Sequence, residues 1–174
     1  MANPTSTLVV RELTQLDEAA FKKAIEQTPS DPNFAHYYDK GITFDQYLYI
    51  LNSVKLGYEL PLGHVPAAVM YAFVGGDIVG RLTLRFDLNE EMINTAGHIG
   101  VIVIPDQRKK GYATEIMKQG LSIAKRADMP RILLTCSDSA EVPRKLIEKC
   151  GGTLENTYMD PVEKALKRRY WVSF

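Results

Sequence analysis

Apolar and polar residues follow two different periods along this chain. Alternating or unbroken apolar runs, typical of β-strands, occupy residues 7–12, 67–74, 78–86, 99–104, 131–136, 153–159 and 168–174. Apolar residues three and four positions apart, typical of amphipathic helices, follow Thr14 and Thr43, begin again near Ala113 and occupy residues 143–149. The order predicts a single domain over residues 1–174, of α/β (α+β) class, with about seven strands and about four helices.

Capping residues predict where the first two helices begin and end. Thr14 is placed to cap the first helix. The predicted apolar stripe of that helix consists of Leu16, Ala20, Ala24 and Ile25. Thr43-x-x-Gln46 has the form of a capping box, and Gly57 is a plausible end for the second helix.

Two predicted strands form a hairpin around Gly75-Gly76-Asp77. In the second strand, three apolar residues alternate with three polar ones, and these six are Leu82, Leu84 and Phe86 against Arg81, Thr83 and Arg85. Alternation predicts one buried face and one exposed face. A turn at residues 87–91 leads to the next strand, and the last two strands are predicted to be antiparallel neighbours.

Residues 97–117 read as a strand, a basic turn and the start of a helix. The β-branched run at residues 99–104 is typical of a strand covered on both faces, and Pro105 should end it. Small residues at Gly111 and Ala113 let backbone amides approach a ligand closely. Because a helix start has unpaired N–H groups and a positive dipole end, the turn predicts a phosphate site. The helix then leads by a right-handed crossover to the strand at residues 131–136.

The order Arg108-x-x-Gly111-x-Ala113 resembles the acyl-CoA signature of the GNAT N-acetyltransferases, Arg/Gln-x-x-Gly-x-Gly/Ala. The resemblance extends to the element order over nearly the whole chain and is strongest over residues 97–152. It implies a single-domain GNAT fold, whose mixed and mostly antiparallel sheet contains a parallel strand–helix–strand core. It also implies acetyl-CoA as cosubstrate, with no metal.

By this resemblance, the turn would wrap the pyrophosphate of coenzyme A, and the preceding strand would offer backbone groups to the pantetheine arm and the thioester. The implied contact residues are Val101, Ile102, Val103, Arg108, Lys109, Lys110, Gly111, Tyr112, Ala113 and Thr114. Two family side chains are missing. Ile147 stands where many members have the tyrosine that protonates the CoA thiolate, and Ala140 stands where they often have an asparagine that contacts CoA.

His98 is the candidate general base, because histidine titrates near neutral pH and this one lies at the start of the key strand. Asp138 and Glu141 are the alternatives. The competing interpretation of His98 is a histidine that hydrogen-bonds a neighbouring strand or loop. Cys136 ends a strand close to the implied thioester, where an acetyl-cysteine intermediate is chemically allowed, but a small core residue is the favoured interpretation.

Composition narrows the predicted partners and location. The 174 residues include 21 basic and 21 acidic side chains, so the formal net charge is zero and neither nucleic acid nor a membrane is a predicted partner. The sequence shows no signal pattern and no membrane-spanning apolar run, and its two cysteines lack metal-ligand spacing. These features predict a reduced, cytoplasmic setting, and a homodimer is left open.

Two functional hypotheses follow. The first is an acetyl-CoA-dependent N-acetyltransferase that moves an acetyl group to a primary amine of a small molecule, amino acid or peptide, by direct attack on the thioester. The second is a catalytically weak or inactive acetyl-CoA-binding sensor or partner module, which the missing tyrosine and asparagine favour. Acceptor choice would lie in residues 34–65 and in the loops after Phe86 and Met159. Tyrosines are frequent between Tyr37 and Tyr58, and for Tyr47 among them simple packing is the favoured interpretation.

Overall fold

The structure is a computed structural model that describes residues 7–31, 33–161 and 163–174. Along these residues lie seven strands and five α-helices, in the order β1 (Val9–Arg11), α1 (Glu18–Glu26), α2 (Phe44–Leu56), β2 (Ala67–Val74), β3 (Asp77–Arg85), α3 (Glu90–Thr95), β4 (Ile99–Val103), α4 (Tyr112–Arg126), β5 (Arg131–Ser137), α5 (Glu141–Lys149), β6 (Thr153–Met159) and β7 (Leu166–Ser173). The predicted class and the seven strands are confirmed, and α3 is a helix where the sequence predicts only a turn. None of the described helices combines the length and apolar character needed to cross a bilayer.

The strands form two antiparallel sheets, ordered β1-β2-β3-β4 and β5-β7-β6. The antiparallel pairing of β6 with β7 confirms the prediction for the last two strands. The sheets meet just before β4, where an isolated antiparallel bridge joins Gly97 to Leu134 and the His98 N–H donates to the Leu133 carbonyl at 2.8 Å. Among the described strands, β4 and β5 therefore share no parallel ladder, although the sequence predicts a parallel core. Beyond this junction β4 stays with β3 and leaves β5.

Two apolar cores cover the opposite faces of the first sheet. One contains Leu82 and Leu84 of β3 together with apolar residues of α4 and α5. The other contains Tyr71 and Phe73 of β2 together with residues of α1 and α2. Gly80 allows α4 and β4 to approach β3, because a Cβ at this position would lie 2.7 Å from the carbonyl oxygen of Ile102.

The predicted ends of α2 are confirmed. Gln46 N–H donates to Thr43 Oγ1 at 3.2 Å, and Thr43 N–H donates to Gln46 Oε1 at 2.8 Å. These reciprocal bonds satisfy donors that a helix start leaves unpaired. Gly57 ends the helix with a left-handed φ of 80°. Tyr47 is fully buried in the core between α2 and the sheet, in agreement with a packing role.

The prediction that Leu16 belongs to the buried stripe of the first helix is wrong. A short 3-10 turn, Gln15–Asp17, precedes α1, and Leu16 in that turn is 95% exposed. The stripe that α1 buries is formed by Phe21 and Ala24. The turn shifts the helical register, so that a residue in phase with the stripe by sequence spacing faces solvent.

The predicted exposed face of β3 is also wrong. Arg81 and Thr83, which alternate with leucines in the sequence, are only 5% and 2% exposed. Their face is covered because their cross-strand neighbours in β2, such as Tyr71, are buried beneath α1 and α2. The reverse holds for β4, where the central residues 100–102 are only half-buried although the apolar run predicts cover on both faces.

Candidate active site

The backbone of β4 is bonded to β3 through its even-numbered residues. The Arg85 N–H donates to the His98 carbonyl at 2.7 Å, and the Ile104 N–H donates to the Val79 carbonyl at 3.0 Å. Hydrogen-bonded and non-hydrogen-bonded pairs alternate along an antiparallel ladder. Ile102 therefore also directs its backbone groups into β3, and its predicted contact with acetyl-CoA stays a prediction.

The odd-numbered residues of β4 form a free edge. Val101 and Val103 direct their N–H and C=O groups toward β5, with which β4 shares no ladder. Arg108 folds back to this edge, and its Nε donates to the Val103 carbonyl at 3.1 Å. An extended ligand with amide groups can bond such an edge as an added strand would. Val101 and Val103 thus present backbone groups at this edge, and their contact with acetyl-CoA stays a prediction.

The first turn of α4 combines open space with unpaired donors. Gly111 precedes the helix with a left-handed φ of 84°, and a Cβ at this position would meet no heavy atom within 4 Å. The Gly111 carbonyl accepts the Thr114 and Glu115 N–H groups at 3.1 and 3.3 Å. The N–H groups of Tyr112 and Ala113 have no acceptor among the described residues. This turn is therefore suited to an anionic group such as a phosphate.

The side chains of the turn before α4 are basic and exposed. Arg108, Lys109 and Lys110 form no ion pair with any described carboxylate. Lys110 Nζ donates to Gln107 Oε1 at 2.8 Å, and Gln107 is a neutral acceptor. Their charges are available to phosphates, so the structure brings the predicted turn residues 108–114 to the same end of the fold as the free edge of β4.

His98 is half-buried and bonded at the junction of β4 with β5. Its Nδ1 accepts the Leu133 N–H at 2.8 Å. In a neutral ring this bond places the proton on Nε2, so the lone pair that a base would use is already engaged. Burial lowers the pKa of His98. The geometry favours the hydrogen-bonding interpretation, and the general-base role stays a prediction.

The two acidic alternatives are both engaged in ion pairs. Arg168 Nε donates to Asp138 Oδ1 at 2.6 Å, and the Asp138 N–H bonds the Leu166 carbonyl at 2.8 Å. Glu141 is exposed and pairs with Lys145 one helical turn later, at 2.6 Å. Each ion pair engages one of the two carboxylate oxygens, so Asp138 and Glu141 both stay alternatives to His98.

Cys136 near the end of β5 and Ile147 in α5 are both packing residues. Cys136 is buried in the core, and desolvation raises the pKa of its thiol, which disfavours a reactive thiolate. Ile147, at the position of the missing tyrosine, is buried in the same core. A Cβ at Gly152 would lie 2.5 Å from Ile147 Cγ2, so this part of α5 is tightly packed.

A polar cluster that sequence reasoning missed lies on the α2 side of β3. We call it the β3 cluster, and its members are His36, Tyr37, His64, Arg81, Thr83 and Arg85. Arg81 Nη1 donates to Thr83 Oγ1, and the Tyr37 hydroxyl lies 2.8 Å from His64 Nδ1. The rings of His36 and Tyr37 stack with centroids 4.2 Å apart. Tyr37 has a left-handed φ of 68°, a conformation that costs a non-glycine residue about 1–2 kcal/mol.

The charges of the β3 cluster are positive. Burial, followed by the charges of Arg81 and Arg85, lowers the pKa of His36 to about 4, so this ring is neutral at pH 7. Burial also lowers the pKa of both arginines, but a guanidinium remains protonated in proteins. Burial raises the pKa of Tyr37, which keeps its hydroxyl protonated.

The β3 cluster borders open space at the middle of β4. Gly100 is opposite Thr83 in the register, and a Cβ at Gly100 would meet no heavy atom within 4 Å. Cross-strand neighbours share a face, so this space lies on the same side of the sheet as Thr83 and Arg81. The sequence did contain a signal for this cluster. Two arginines and a threonine alternate with leucines in a strand that lies between two other predicted strands.

No group of three or more His, Cys, Asp or Glu side chains able to hold a metal ion occurs within residues 7–31, 33–161 and 163–174. The candidate chemistry described above rests on backbone donors, cations and aromatic hydroxyls, together with His98. Two surfaces carry it: the free edge of β4 with the start of α4, and the β3 cluster on the other side of the sheet.

Solved structures share this fold. A ribosomal L7/L12 α-N-protein acetyltransferase in complex with coenzyme A is 15% identical, with 98% of this chain and 97% of that chain covered and a TM-score of 0.66. An acetyltransferase, YncA, from Salmonella typhimurium with acetyl-CoA is 13% identical, with 95% and 93% covered and a TM-score of 0.62. A spermidine N-acetyltransferase chimera from Vibrio cholerae and hSSAT is 15% identical, with 97% and 96% covered and a TM-score of 0.63. At these identities the similarity concerns the fold.

The sequence was also compared with curated proteins and with models of protein families. No match was found among curated proteins. A family model, described as the acetyltransferase (GNAT) family, matches residues 43–151. The matched segment includes β4, the basic turn and α4. The chain therefore belongs to the acetyltransferase (GNAT) family.

Proposed function

We propose that the protein is an acetyl-CoA-dependent N-acetyltransferase that acts on a primary amine of a small molecule, amino acid or peptide. The observation that carries the proposal is the succession of the free β4 edge and the open, donor-bearing start of α4. Coenzyme A and acetyl-CoA are bound in two structural neighbours. Family membership adds the reaction class.

The free edge of β4 and the start of α4 fit two parts of acetyl-CoA. The pantetheine amides would bond Val101 and Val103, and the pyrophosphate would bind the N–H groups of Tyr112 and Ala113. Gly111 leaves the space that the phosphates need, because a side chain there would point into it. Thr114 and the three basic residues 108–110 would surround the phosphates. Ile102 lies between these two valines, and its backbone groups point into β3.

The proposed reaction is direct transfer. The neutral amine attacks the thioester carbonyl carbon and forms the N–C bond, while the carbonyl electrons move to oxygen. Collapse of this oxyanion breaks the C–S bond, the thiolate leaves, and the nitrogen loses its proton. Unpaired β4 N–H groups are the proposed oxyanion donors, because fixed donors in a site shielded from water stabilise developing charge. Holding both reactants in place lowers the barrier further.

His98 remains the proposed base and Asp138 its alternative. His98 faces the same side of the sheet as Gly100, one strand from Arg85. To accept a proton it must release the Leu133 N–H or turn its ring. The thiolate has no proposed acid, since Ile147 is apolar and buried.

The rival proposal is a binding module without turnover, and it rests on Ile147 and Ala140. Titration of the protein with acetyl-CoA, followed by thermal unfolding, tests binding. At about one hundred times the dissociation constant, we expect stabilisation of roughly 2.7 kcal/mol. Release of free CoA thiol across a panel of amines tests transfer. Stabilisation with thiol release supports the enzyme, stabilisation alone supports the module, and no stabilisation contradicts both.

A further inference from the structure

Arg81 carries a buried positive charge with little compensation. The residue is 5% exposed, and its Nε has no hydrogen-bond partner within the described part of the chain. Its Nη1 donates to Thr83 Oγ1, a neutral acceptor. No described carboxylate forms an ion pair with Arg81, and Asp31 acts on it only through its charge. The guanidinium therefore lacks an anionic partner from its own chain.

The tyrosines that neighbour Arg81 are already bonded elsewhere. Tyr71 is its cross-strand partner, and the Tyr71 and Tyr47 hydroxyls lie 2.8 Å apart. The Tyr47 hydroxyl donates to the His36 carbonyl at 3.0 Å. Burial of a charge is costly unless it is paired and hydrogen-bonded. A guanidinium kept in this setting indicates a negative group that arrives from outside the chain.

Arg85 extends the positive surface along the same face of β3. Its Nη1 donates to the Gly97 carbonyl at 3.3 Å, and it too forms no ion pair with a described carboxylate. Burial, followed by the charge of Arg81, lowers the pKa of Arg85. Two like charges thus face one region, and an anion between them would relieve their repulsion.

The two arginines lie one strand away from the proposed reaction site. The register places Arg81 opposite Ile102 and Thr83 opposite Gly100. Neighbouring strands are about 4.8 Å apart. The space over Gly100 is open on this face. An anion bound by Arg81 can therefore belong to a molecule whose amine, a few bonds away, reaches β4.

We infer that the acceptor is a small amine that also carries a carboxylate, and that Arg81, assisted by Arg85, binds this carboxylate. The inference rests on the proposed function, because it concerns the acceptor of the same reaction. A guanidinium fork matches the two oxygens of a carboxylate, and the carboxylate supplies the partner that Nε lacks. A polyamine would bring further positive charge beside the two arginines, which disfavours it.

The test compares amino acids with their C-terminal amides as acceptors, at saturating acetyl-CoA. The two molecules share the amine and the side chain and differ in the carboxylate. The amide has the less basic amine, so it reacts better if the carboxylate is not recognised. We expect a preference for the acid of about tenfold or more in kcat/KM, the usual scale for a buried charge contact. Aminophosphonic acids added to the panel show whether a carboxylate or another oxyanion is preferred.

Three variants test which arginine recognises the carboxylate of the acceptor. Arg81→Met should reduce the acid-to-amide ratio to one or below, and Arg85→Met should reduce it in part. Arg126→Met is the matched control, because Arg126 is exposed and bonded to Ser122 at the far end of α4. Stabilisation by acetyl-CoA should persist in all three. Arg81→Met should also raise the melting temperature of the ligand-free protein, because it removes an unpaired buried charge, whereas a structural arginine would lower it on removal.

Calorimetric binding of the amino acids to the CoA-bound protein provides a readout that does not depend on turnover. Binding of an acid but not of its amide, lost in Arg81→Met, supports the inference even if no thiol is released, and in that case the proposed function fails alone. A wild-type protein that acetylates amides or polyamines as well as acids overturns the inference and leaves the proposed function intact. An acid preference that persists in folded Arg81→Met and Arg85→Met also overturns it.

Discussion

The Nδ1 atom of His98 accepts the backbone N–H of Leu133 at 2.8 Å, and the two residues are 35 positions apart in the sequence. The His98 N–H bonds back to the Leu133 carbonyl, and the His98 carbonyl accepts the Arg85 N–H. One residue thus joins β3, β4 and β5. Immediately after it β4 separates from β5, so this contact defines where the free edge begins.

Replacement of His98 separates its two candidate roles. His98→Ala removes the acceptor of the buried Leu133 N–H and should destabilise the fold by about 1–3 kcal/mol. His98→Asn offers an oxygen near the former Nδ1 and should recover much of this loss. Denaturant unfolding measures both. If the histidine is structural, His98→Asn should keep the pH profile of kcat/KM.

The general-base hypothesis predicts a different result for the same pair of variants. Activity would then rise with pH through a group below about 6.5, since burial lowers the pKa of His98. Both variants would lose this pH-dependent rise in activity and react roughly 10²-fold more slowly, with unchanged acetyl-CoA affinity. A stable His98→Asn protein with that defect would identify His98 as the base. An unchanged profile would direct attention to Asp138 and Glu141.

Aspartate at Gly111 should abolish stabilisation by acetyl-CoA. Its side chain would occupy the open space at the start of α4, and its charge would repel the phosphates. Gly151→Asp is the matched control, because Gly151 also has a left-handed φ, of 91°, and equally open surroundings. Both substitutions should cost about 1–2 kcal/mol of folding stability through backbone strain.

The melting temperatures of Gly111→Asp and Gly151→Asp are measured with and without acetyl-CoA. Loss of the ligand-induced shift in Gly111→Asp alone agrees with a phosphate site at the turn. Equal shifts in both folded variants would mean that coenzyme A binds elsewhere.

The pKa of His36 predicts an acid-sensitive contribution to stability. Its folded value of about 4 lies below the unfolded value of 6.5, so the unfolded chain takes up a proton first as pH falls. Stability is highest above pH 6.5 and declines as pH is lowered toward 4. Because the ring is partly exposed, the loss should be on the order of 1–2 kcal/mol.

Urea unfolding of the wild type and His36→Gln at pH 7 and pH 4.5 measures this contribution. The difference in stability between the two pH values should be smaller in the variant, since glutamine does not titrate. An identical pH dependence in both proteins would show that His36 titrates normally in the folded state.

Two glycines of the β3–β4 pair should respond to alanine in opposite ways. Gly80→Ala forces a methyl group to 2.7 Å from the Ile102 carbonyl oxygen and should destabilise the fold by about 1–3 kcal/mol. Gly100→Ala has open space around it and should leave stability unchanged or slightly improved. Its methyl group would enter the space beside Thr83, so acceptor KM should rise while acetyl-CoA stabilisation persists. Normal kinetics in Gly100→Ala would place the acceptor elsewhere.

Several features were predictable because a few neighbouring residues determine them. The Thr43–Gln46 capping box and the Gly75-Gly76 turn each depend on four or fewer consecutive positions, so their sequence patterns sufficed. The strand before the basic turn and the helix after it follow from apolar spacing in the same way. Leu16 shows the limit of this approach, because a short 3-10 turn changed the phase of the helix.

By itself, the sequence determined the order of the elements, the hairpin and the glycine turn that precedes α4. The tertiary structure alone decided which faces are covered, and therefore that Arg81 and Thr83 are buried under α1 and α2. It also decided that His98 bonds Leu133 and that β4 leaves β5, so that the odd-numbered residues of β4 pair with no strand among the described residues. A residue's period assigns it to a face, but the burial and bonding of that face depend on segments tens of residues away in the chain.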